Sequence, residues 1–483
     1  LAAGIPLNAL GNPVFKEFLA HLKVDLPRAQ HLSKHVTFIL EEEHLKLKAE
    51  IGNRPYSCCF DATPYLCECF GLGVRFVDAS GKVVQRVLQL SMLKKSMSGD
   101  DIAGEVNRIV THQFGLDPAQ CRGISGDSCA ANLLAIDALL KVFRKAVALP
   151  CLSHTFNNIG KRLKFDELDT FLGKLHTLLS HSAFAKALFF EMAGVRVPST
   201  PGHRWGSRNE RDLLIAMAWP GLLKFIAAYQ SGDDAKSKAV RFMRDELERQ
   251  DEGEQPRSVL LQLQLAVMVD VRKSVTSATI FLEGDTPLVR AVEAVCVLTR
   301  LLHAPPSLAP RLLSVDLVAF QRATADLIAS EMQDELHALR EYAHERIGRH
   351  PEAKLAQMMN LFKAAKLTDY MYMKTHKYSD HEVRGLLVFS FVDDDMIEGL
   401  LKEKDDFFLA ATDTDAEYGH MAFWDHHKNT VPTWHAVVMD VVLLQPSSAF
   451  MERVFSILRC CFDERQQHVY SDRICASALL KYN

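Results

Sequence analysis

Three acids, Asp61, Asp127 and Glu452, stand where carboxylates could hold metal ions and act on phosphodiester bonds. Asp61 lies in the short apolar run YSCCFDA, Asp127 ends CRGISGD, and Glu452 interrupts the apolar segment PSSAFMERVFSILRCC. Two carboxylates at the ends of neighbouring strands repel each other unless a cation lies between them. Mg²⁺ prefers such oxygen ligands, and a third carboxylate would complete a two-metal site for phosphoryl transfer. These acids are therefore the candidate catalytic residues and metal ligands.

Ordinary structural roles account for the same acids. An aspartate that follows a strand often caps a helix or forms a turn, and GDS at Asp127 is a good capping sequence. Glu452 could form an ion pair with Arg453 on one helix. The sequence leaves these explanations open beside the catalytic one.

A mixed sheet would have to position the acids. The runs that predict its strands are YSCCFDA, the two arms of the hairpin GVRFVDASGKVVQRVLQL, CRGISGD and VALPC. Helical segments separate the later strands, and the first of them, SGDDIAGEVNRIVTHQFG, has Ser98 as its predicted cap. The order β-β-β-α-β-α-β-α predicts an α/β fold of the mixed α+β type, with helices packed on the sheet. In the strand order 3-2-1-4-5, strands one and four are neighbours, which would bring Asp61 and Asp127 together.

A long helical block separates Asp127 from Glu452. Residues 206–425 show helical periodicity without strand alternation, so Glu452 can reach the sheet only if this block is an insertion. We predict four regions: a helical segment 1–55, the first part of the sheet domain 56–205, an all-α insertion 206–425, and a segment 426–483 that completes the sheet domain.

Bulk composition limits the class of protein. The chain has 483 residues, 48% hydrophobic and 24% charged, as in globular domains. Its net charge of −4 points away from nucleic acid, although local basic patches decide phosphate binding. No apolar run approaches the ~20 residues of a membrane span. Eleven cysteines without framework spacing indicate reduced, intracellular thiols. The chain starts at Leu1 rather than Met, which suggests a piece of a longer protein.

Several motifs in order resemble the hAT superfamily of DNA transposases. The segment from Ser447 to Asn483 is similar to the closing dimerisation segment of that family, and FWDHHKNTVPTWHAVVMDVVLLQP resembles its usual lead-in. The other similar motifs, in chain order, are SCCFDATP with Asp61, GISGDSCAAN with Asp127, LPCLSH with Cys151 and His154, and HRWGS with Arg204 and Trp205.

This resemblance implies a ribonuclease-H-like fold interrupted by a helical insertion, and a mechanism in which the three acids hold two Mg²⁺ or Mn²⁺ ions. The expected substrates are the DNA of transposon ends and target, cut by water and joined by a 3′-hydroxyl. Trp205 would stack on a flipped base, with Arg204 near phosphate and with Cys151 and His154 lining the same region. The resemblance also implies a homodimer or larger oligomer through the C-terminal segment, a nuclear location and no membrane.

Other functions remain open at this stage. A domesticated or decayed relative could act as a dimerising, DNA-associated protein without catalysis; the absence of the family's zinc finger from this sequence favours that reading or a truncated chain. A nuclease of the ribonuclease H group acting on hybrids is a third alternative, which the C-terminal segment argues against. Trp205 could equally be a core residue.

Overall fold

The computed structural model describes residues 12–22, 29–65, 67–93, 95–197, 207–230, 234–249, 257–283, 288–296, 337–342, 354–414, 419–461 and 471–483. The chain divides into two compact units. The first unit comprises Leu1–His154, Leu282–Val292 and Lys354–Asn483, and the second comprises Thr155–Phe281 and Glu293–Ala353. The four predicted region boundaries stay predictions.

The first unit is built on one five-stranded mixed sheet. Its strands are β1 (Tyr56–Tyr65), β2 (Cys67–Val77), β3 (Val83–Leu93), β4 (Cys121–Gly126) and β5 (Val147–Pro150). They lie in the order β3-β2-β1-β4-β5. The strands β1, β2 and β3 pair antiparallel, whereas β4 runs parallel to both β1 and β5. The predicted α/β fold, a mixed sheet flanked by helices, is therefore confirmed.

Local sequence explains the β2–β3 turn and the beginning of the helix that follows β3. Asp78 closes the β2–β3 turn because its carboxylate accepts the amides of Ser80 and Lys82, and Gly81 adopts a φ of 82° that disfavours other residues. Ser98 caps the helix after β3 in a capping box with Asp101, as predicted.

The helices are numbered here in chain order. Those up to residue 228 are α1 (Pro13–His21), α2 (Ala29–Ile51), α3 (Gly99–Asn107), α4 (Ala130–Leu140), α5 (Leu152–Arg162), α6 (Asp166–His181), α7 (Ala183–Ala193), α8 (Ser207–Met217) and α9 (Trp219–Ala228). The later ones are α10 (Asp234–Glu248), α11 (Arg257–Glu283), α12 (Lys354–Lys366), α13 (Tyr370–Thr375), α14 (Asp380–Arg384), α15 (Asp394–Lys402), α16 (Lys404–Asp413), α17 (His420–His427), α18 (Pro432–Val441), α19 (Ala449–Cys461) and α20 (Ser471–Tyr482). A π-helical turn, Arg108–Gln113, follows α3, and 3₁₀ turns cover Pro118–Gln120, Leu288–Arg290 and Gly385–Val388.

Each face of the sheet has its own helical cover. On one face, Cys58 and Phe60 of β1 pack in a core with side chains of α2, α3 and α4. On the other face, Cys59 packs with side chains of α19 and α20, among them Met451 and Leu479. Side chains alternate between the faces of a strand, so Asp61 shares the face of Cys59, which α19 covers.

The C-terminal helix α20 contributes to this second core. Leu479 is 3% exposed there, and the Asn483 side chain exchanges two hydrogen bonds with the backbone of Val87. The predicted homodimer through residues 447–483 and the nuclear location stay predictions.

The second unit contains α-helices and no strand among its described residues. Its core includes Phe171, Trp219 and Phe225. Asp212 is fully buried there and forms an ion pair with Arg272 at 3.1 Å. None of the described helices of either unit has both the length and the apolar character needed to cross a membrane.

Candidate metal centre

Asp61 enters the site from the middle of the sheet. It lies in β1, opposite Gly71 of β2, and is only 4% exposed. One of its carboxylate oxygens accepts the adjacent amide of Ala62 at 2.9 Å. A carboxylate buried this deeply costs free energy unless nearby donors or cations compensate its charge.

Two glycines of β2 allow α19 to lie close against the sheet. A Cβ atom on Gly71 would lie 2.3 Å from Cε of Met451, and one on Gly73 would lie 2.0 Å from Cε1 of Phe450. A larger residue at Gly71 would displace the end of the Met451 side chain, and one at Gly73 would collide with the Phe450 ring and the backbone of Arg86. Because Glu452 lies in the first turn of α19, this close approach sets its distance from Asp61.

Hydrogen bonds tie the segment before α19 to the start of α5. The amide of Leu152 donates to the carbonyl of Pro446 at 2.8 Å, and the Ser153 hydroxyl donates to Oγ of Ser447 at 3.0 Å. Ser447 in turn accepts the amide of Ala449, the first residue of α19, at 3.1 Å. The segment next to β5 is thus fixed to the helix that carries Glu452.

Cys151 completes this connection. Its thiol is fully buried and accepts the amides of Ser448 at 3.2 Å and His154 at 3.4 Å. The backbone amide of Cys151 donates to Gly126, the last residue of β4, at 2.8 Å. Cys151 therefore links the end of β4, the start of α5 and the residue before α19.

Asp61, His154 and Glu452 meet at the centre of this arrangement. One potential ligand atom from each lies within 4.8 Å of the other two. Nε2 of His154 is 3.7 Å from Oε1 of Glu452, and its Nδ1 lies 3.4 Å from Oγ of Ser448. The side chains of His154 and Glu452 are 17% and 36% exposed, so the centre opens on the side of Glu452.

Asp127 lies near this group but is not one of its three members. It follows β4, and its Oδ1 accepts the amide of Cys129 at 2.6 Å and the side-chain amide of Asn132 at 3.1 Å. These contacts form the turn that precedes α4, one of the ordinary roles that the sequence left open, whereas the N-cap position of α4 is Cys129. Its charge still acts on the centre, because it contributes to the pKa values of both Asp61 and His154.

The electrostatics of the centre reflect crowded acids. Burial raises the pKa of Asp61 well above its ordinary value; the charges of Asp127 and Glu452 raise it further, and His154 opposes them. Burial would lower the pKa of His154, but the hydrogen bond to Cys151 and the nearby acids raise it to about 9. Burial would raise the pKa of Cys151, but His154 and Ser448 outweigh it and the net pKa is lowered.

The predicted residues thus have different places. Asp61 and Glu452 come together, and His154 joins them. Asp127 lies beside them with one oxygen engaged at α4. Arg204 and Trp205 lie outside the described residues. Cys151 is buried, so in this structure its part is to fix the backbone of His154 and Ser448 rather than to present a surface.

Some residues that build the centre were assigned another role, or none, by the sequence prediction. His154 was expected to line a DNA site, although its spacing from Cys151 is also a ligand spacing. Gly71 and Gly73 carry a signal that could have indicated this site, because alternate glycines in a strand are typical of the close approach of another element. Ser447 and Ser448 belonged to a recognised motif, but nothing in the sequence showed their contacts with α5.

No protein-family model matches this sequence, and no curated protein matches it. The relation to hAT transposases stays a prediction.

Proposed function

We propose that this chain is the catalytic core of a DNA transposase of the hAT type, which cuts and joins phosphodiester bonds with divalent metal ions. One observation supports it most: Asp61 and Glu452, from opposite ends of the chain, have ligand atoms within 4.8 Å of each other. Two acids placed this closely, one of them buried, are unfavourable unless a cation compensates them. A bound divalent cation would compensate the two carboxylates, so a metal-dependent site accounts for their close approach.

The donor set fits a divalent cation. Two carboxylates and an imidazole are ligand types that divalent metals accept in proteins. Asp61 and Glu452 would hold the first ion, and a second ion would also draw on Asp127. When bound, such ions polarise the scissile phosphate and lower the pKa of the attacking water.

The protein's own residues position and open the site. Asp61 is fixed by the sheet, and Glu452 is fixed by the hydrogen bonds of Ser447 and Ser448, so little reorganisation is needed for reaction. Glu452 is the most exposed of the three, and a DNA phosphate would approach from its side. The substrates, the homodimer and the nuclear location are supported by the sequence motifs alone.

A second candidate function is a non-catalytic relative that associates with DNA. One observation favours it: Asp127 lies outside the group of three and accepts two hydrogen bonds at the start of α4. In such a protein the three acids would be retained without their original chemistry.

Nicking of supercoiled plasmid DNA in Mn²⁺ or Mg²⁺ separates the two candidates. We expect metal-dependent nicking by the wild type, and a loss of at least about 100-fold in Asp61→Asn and Glu452→Gln, as when a group that acts in the transition state is removed. Asp127→Asn keeps an oxygen that can accept the Cys129 amide in the turn before α4, so loss of activity in this variant would reflect chemistry rather than folding.

The matched control is Glu398→Gln, which removes an exposed acid paired with Arg384 on the surface. This variant should nick as the wild type does. Equal nicking by the wild type, Asp61→Asn and Glu452→Gln would contradict the transposase proposal. A folded wild type that does not nick DNA but still binds it would favour the non-catalytic relative.

A further inference from the structure

We propose that His154 is a metal ligand in this centre, so that the site takes a divalent transition-metal ion such as Mn²⁺ or Zn²⁺ in preference to Mg²⁺. This inference rests on the metal centre of the proposed function and adds a ligand that the three-acid arrangement does not contain. Imidazole nitrogen suits transition metals, whereas Mg²⁺ is held by oxygen ligands.

The position of the imidazole supports this role. Nε2 of His154 lies 3.7 Å from Oε1 of Glu452 and faces the acids. Each of the three side chains offers one ligand atom to a common point, since these atoms all lie within 4.8 Å of one another. An ion bonded at about 2.1 Å to each would draw them closer by small side-chain rotations.

The other side of the imidazole is held as metal-binding histidines require. Nδ1 lies 3.4 Å from Oγ of Ser448, and the His154 backbone is fixed by the Cys151 thiol. A histidine that binds metal through one nitrogen almost always makes a hydrogen bond through the other, which sets its orientation. Ser448 is fully buried, so this contact belongs to the interior rather than to a mobile surface.

An ion pair between His154 and Glu452 is the ordinary alternative. It compensates Asp61 only in part: this side chain is 4% exposed, and the one hydrogen bond that it accepts among the described residues comes from the adjacent Ala62 amide. A single imidazolium carries one positive charge, while Asp61, Glu452 and the nearby Asp127 carry up to three negative charges. A divalent ion balances the group better than a proton does.

Metal binding by the metal-free full chain tests the inference. We expect titration calorimetry to show Mn²⁺ and Zn²⁺ binding at least about 10-fold tighter than Mg²⁺. In His154→Ala the affinity for Zn²⁺ should fall by about 100-fold, while that for Mg²⁺ changes less than about threefold. Pulsed electron paramagnetic resonance of bound Mn²⁺ should detect a coordinated ¹⁴N in the wild type and none in the variant.

The control variant is His426→Ala. His426 and His427 are adjacent on α17, with ring centroids 4.7 Å apart, and two neighbouring imidazoles can bind zinc adventitiously. Removing His426 should leave the nitrogen signal unchanged. If His154→Ala does not fold, as judged by circular dichroism, His154→Asn and the wild-type nitrogen signal still provide the test.

The outcomes separate this inference from the proposed function. No metal binding by the folded wild type would overturn both. Metal binding that is the same in the wild type and His154→Ala, without nitrogen coupling, would overturn the inference and leave the three-acid centre possible. A coordinated nitrogen in a protein that never nicks DNA would support the inference and contradict the transposase. Zinc binding lost in His426→Ala alone would mean adventitious binding only, and would overturn the inference.

Discussion

Two buried aspartates of the first unit, Asp61 and Asp440, have opposite surroundings. Asp440 lies in α18, is 8% exposed, and accepts Nε of Arg122 at 2.7 Å. Arg122 also donates to the Ala119 carbonyl and lies over the ring of Phe391. Asp61 is 4% exposed, yet its neighbours include the acids Asp127 and Glu452.

The difference shows in the electrostatics. Burial raises the pKa of Asp440, but Arg122 counters it. Burial raises the pKa of Asp61, and two more carboxylates add to the effect, opposed by His154 and by the hydrogen bond from the Ala62 amide. A buried acid with a fixed guanidinium is part of the structure. A buried acid among other acids has a charge that the folded chain does not fully compensate, and this is what a cation site requires.

Breaking the Asp440 pair gives the largest predicted effect. Asp440→Ala leaves Arg122 buried without its carboxylate, and we expect a loss of about 3–5 kcal/mol in the free energy of unfolding. Urea denaturation, with and without Mn²⁺, measures it, and the loss should not depend on the metal. The double variant Arg122→Met with Asp440→Leu should lie close to the wild type, because both charges are gone. A loss below about 1 kcal/mol in Asp440→Ala would mean that the Arg122–Asp440 pair does not stabilise the fold.

Moving α19 should disturb Asp61 without touching Asp440. In Gly73→Ala the new Cβ would meet the Phe450 ring and the carbonyl of Arg86, which we expect to cost about 1–3 kcal/mol and to weaken Mn²⁺ binding. Calorimetry and urea denaturation measure the two effects. Gly104→Ala is the control, because nothing lies within 4 Å of its new Cβ, and alanine in a helix should stabilise by up to about 1 kcal/mol. Unchanged metal binding in Gly73→Ala would mean that close packing of α19 does not set the site.

The sheet was predictable from sequence because its signals are local. Runs of β-forming residues, the Ser80-Gly81 turn and the Ser98 cap each act within a few residues, and together they predicted the strands and the helix after the hairpin. The spatial order 3-2-1-4-5 was assumed for these strands, and it is the order that the structure has. The predicted YSCCFDA strand is shorter than the observed β1, which extends to Tyr65 and pairs along its whole length with β2. Alternation along this strand then fixes which face Asp61 occupies.

The third member of the candidate site was not predictable, because it depends on contacts between distant segments. Whether His154 points at Glu452 is decided by Ser447, Ser448 and Cys151, which tie α5 to the beginning of α19. The same limit applies to Asp127, whose carboxylate could equally form the turn before α4 or join the acids. Sequence motifs identified the right neighbourhood, but the choice between these roles lies in side-chain packing.

Removing the charge of Asp61 should change the free energy of unfolding less than Asp440→Ala does, and in the opposite direction. Asp61→Asn retains the shape and removes a charge that burial and two acids disfavour, so without metal we expect a gain of about 1 kcal/mol in stability. Saturating Mn²⁺ should stabilise the wild type, by about 2.7 kcal/mol at 100 times the dissociation constant, and the variant much less. Urea denaturation in a chelator and in Mn²⁺ measures both. If Asp61→Asn destabilised the protein as much as Asp440→Ala, Asp61 would be a structural acid too.

The smallest effect concerns an acid at the surface, where donors rather than acids surround the carboxylate. Glu382 accepts the amide and hydroxyl of Ser379 in the capping box of α14, and it lies 2.9 Å from Nε2 of His376. These contacts, the Ser379 amide first, lower its pKa from 4.5 to about 2. Because the folded pKa is lowered, its contribution to stability is present above about pH 4.5 and is lost as the pH falls toward about 2.

Glu382→Gln should therefore reduce the loss of stability between pH 7 and pH 3, by less than about 1 kcal/mol because the side chain is 35% exposed. Urea denaturation at both pH values measures this, and Glu398→Gln, an exposed acid outside the capping box, should behave as the wild type. The direction matters more than the size. An acid among donors stabilises the protein when it is ionised, whereas Asp61 should do so only when a cation is supplied. If the loss of stability between pH 7 and pH 3 were the same in Glu382→Gln and the wild type, hydrogen-bond donors would not be what stabilises the ionised carboxylate of Glu382. Glu382 could then no longer serve as the stabilising counterpart of Asp61.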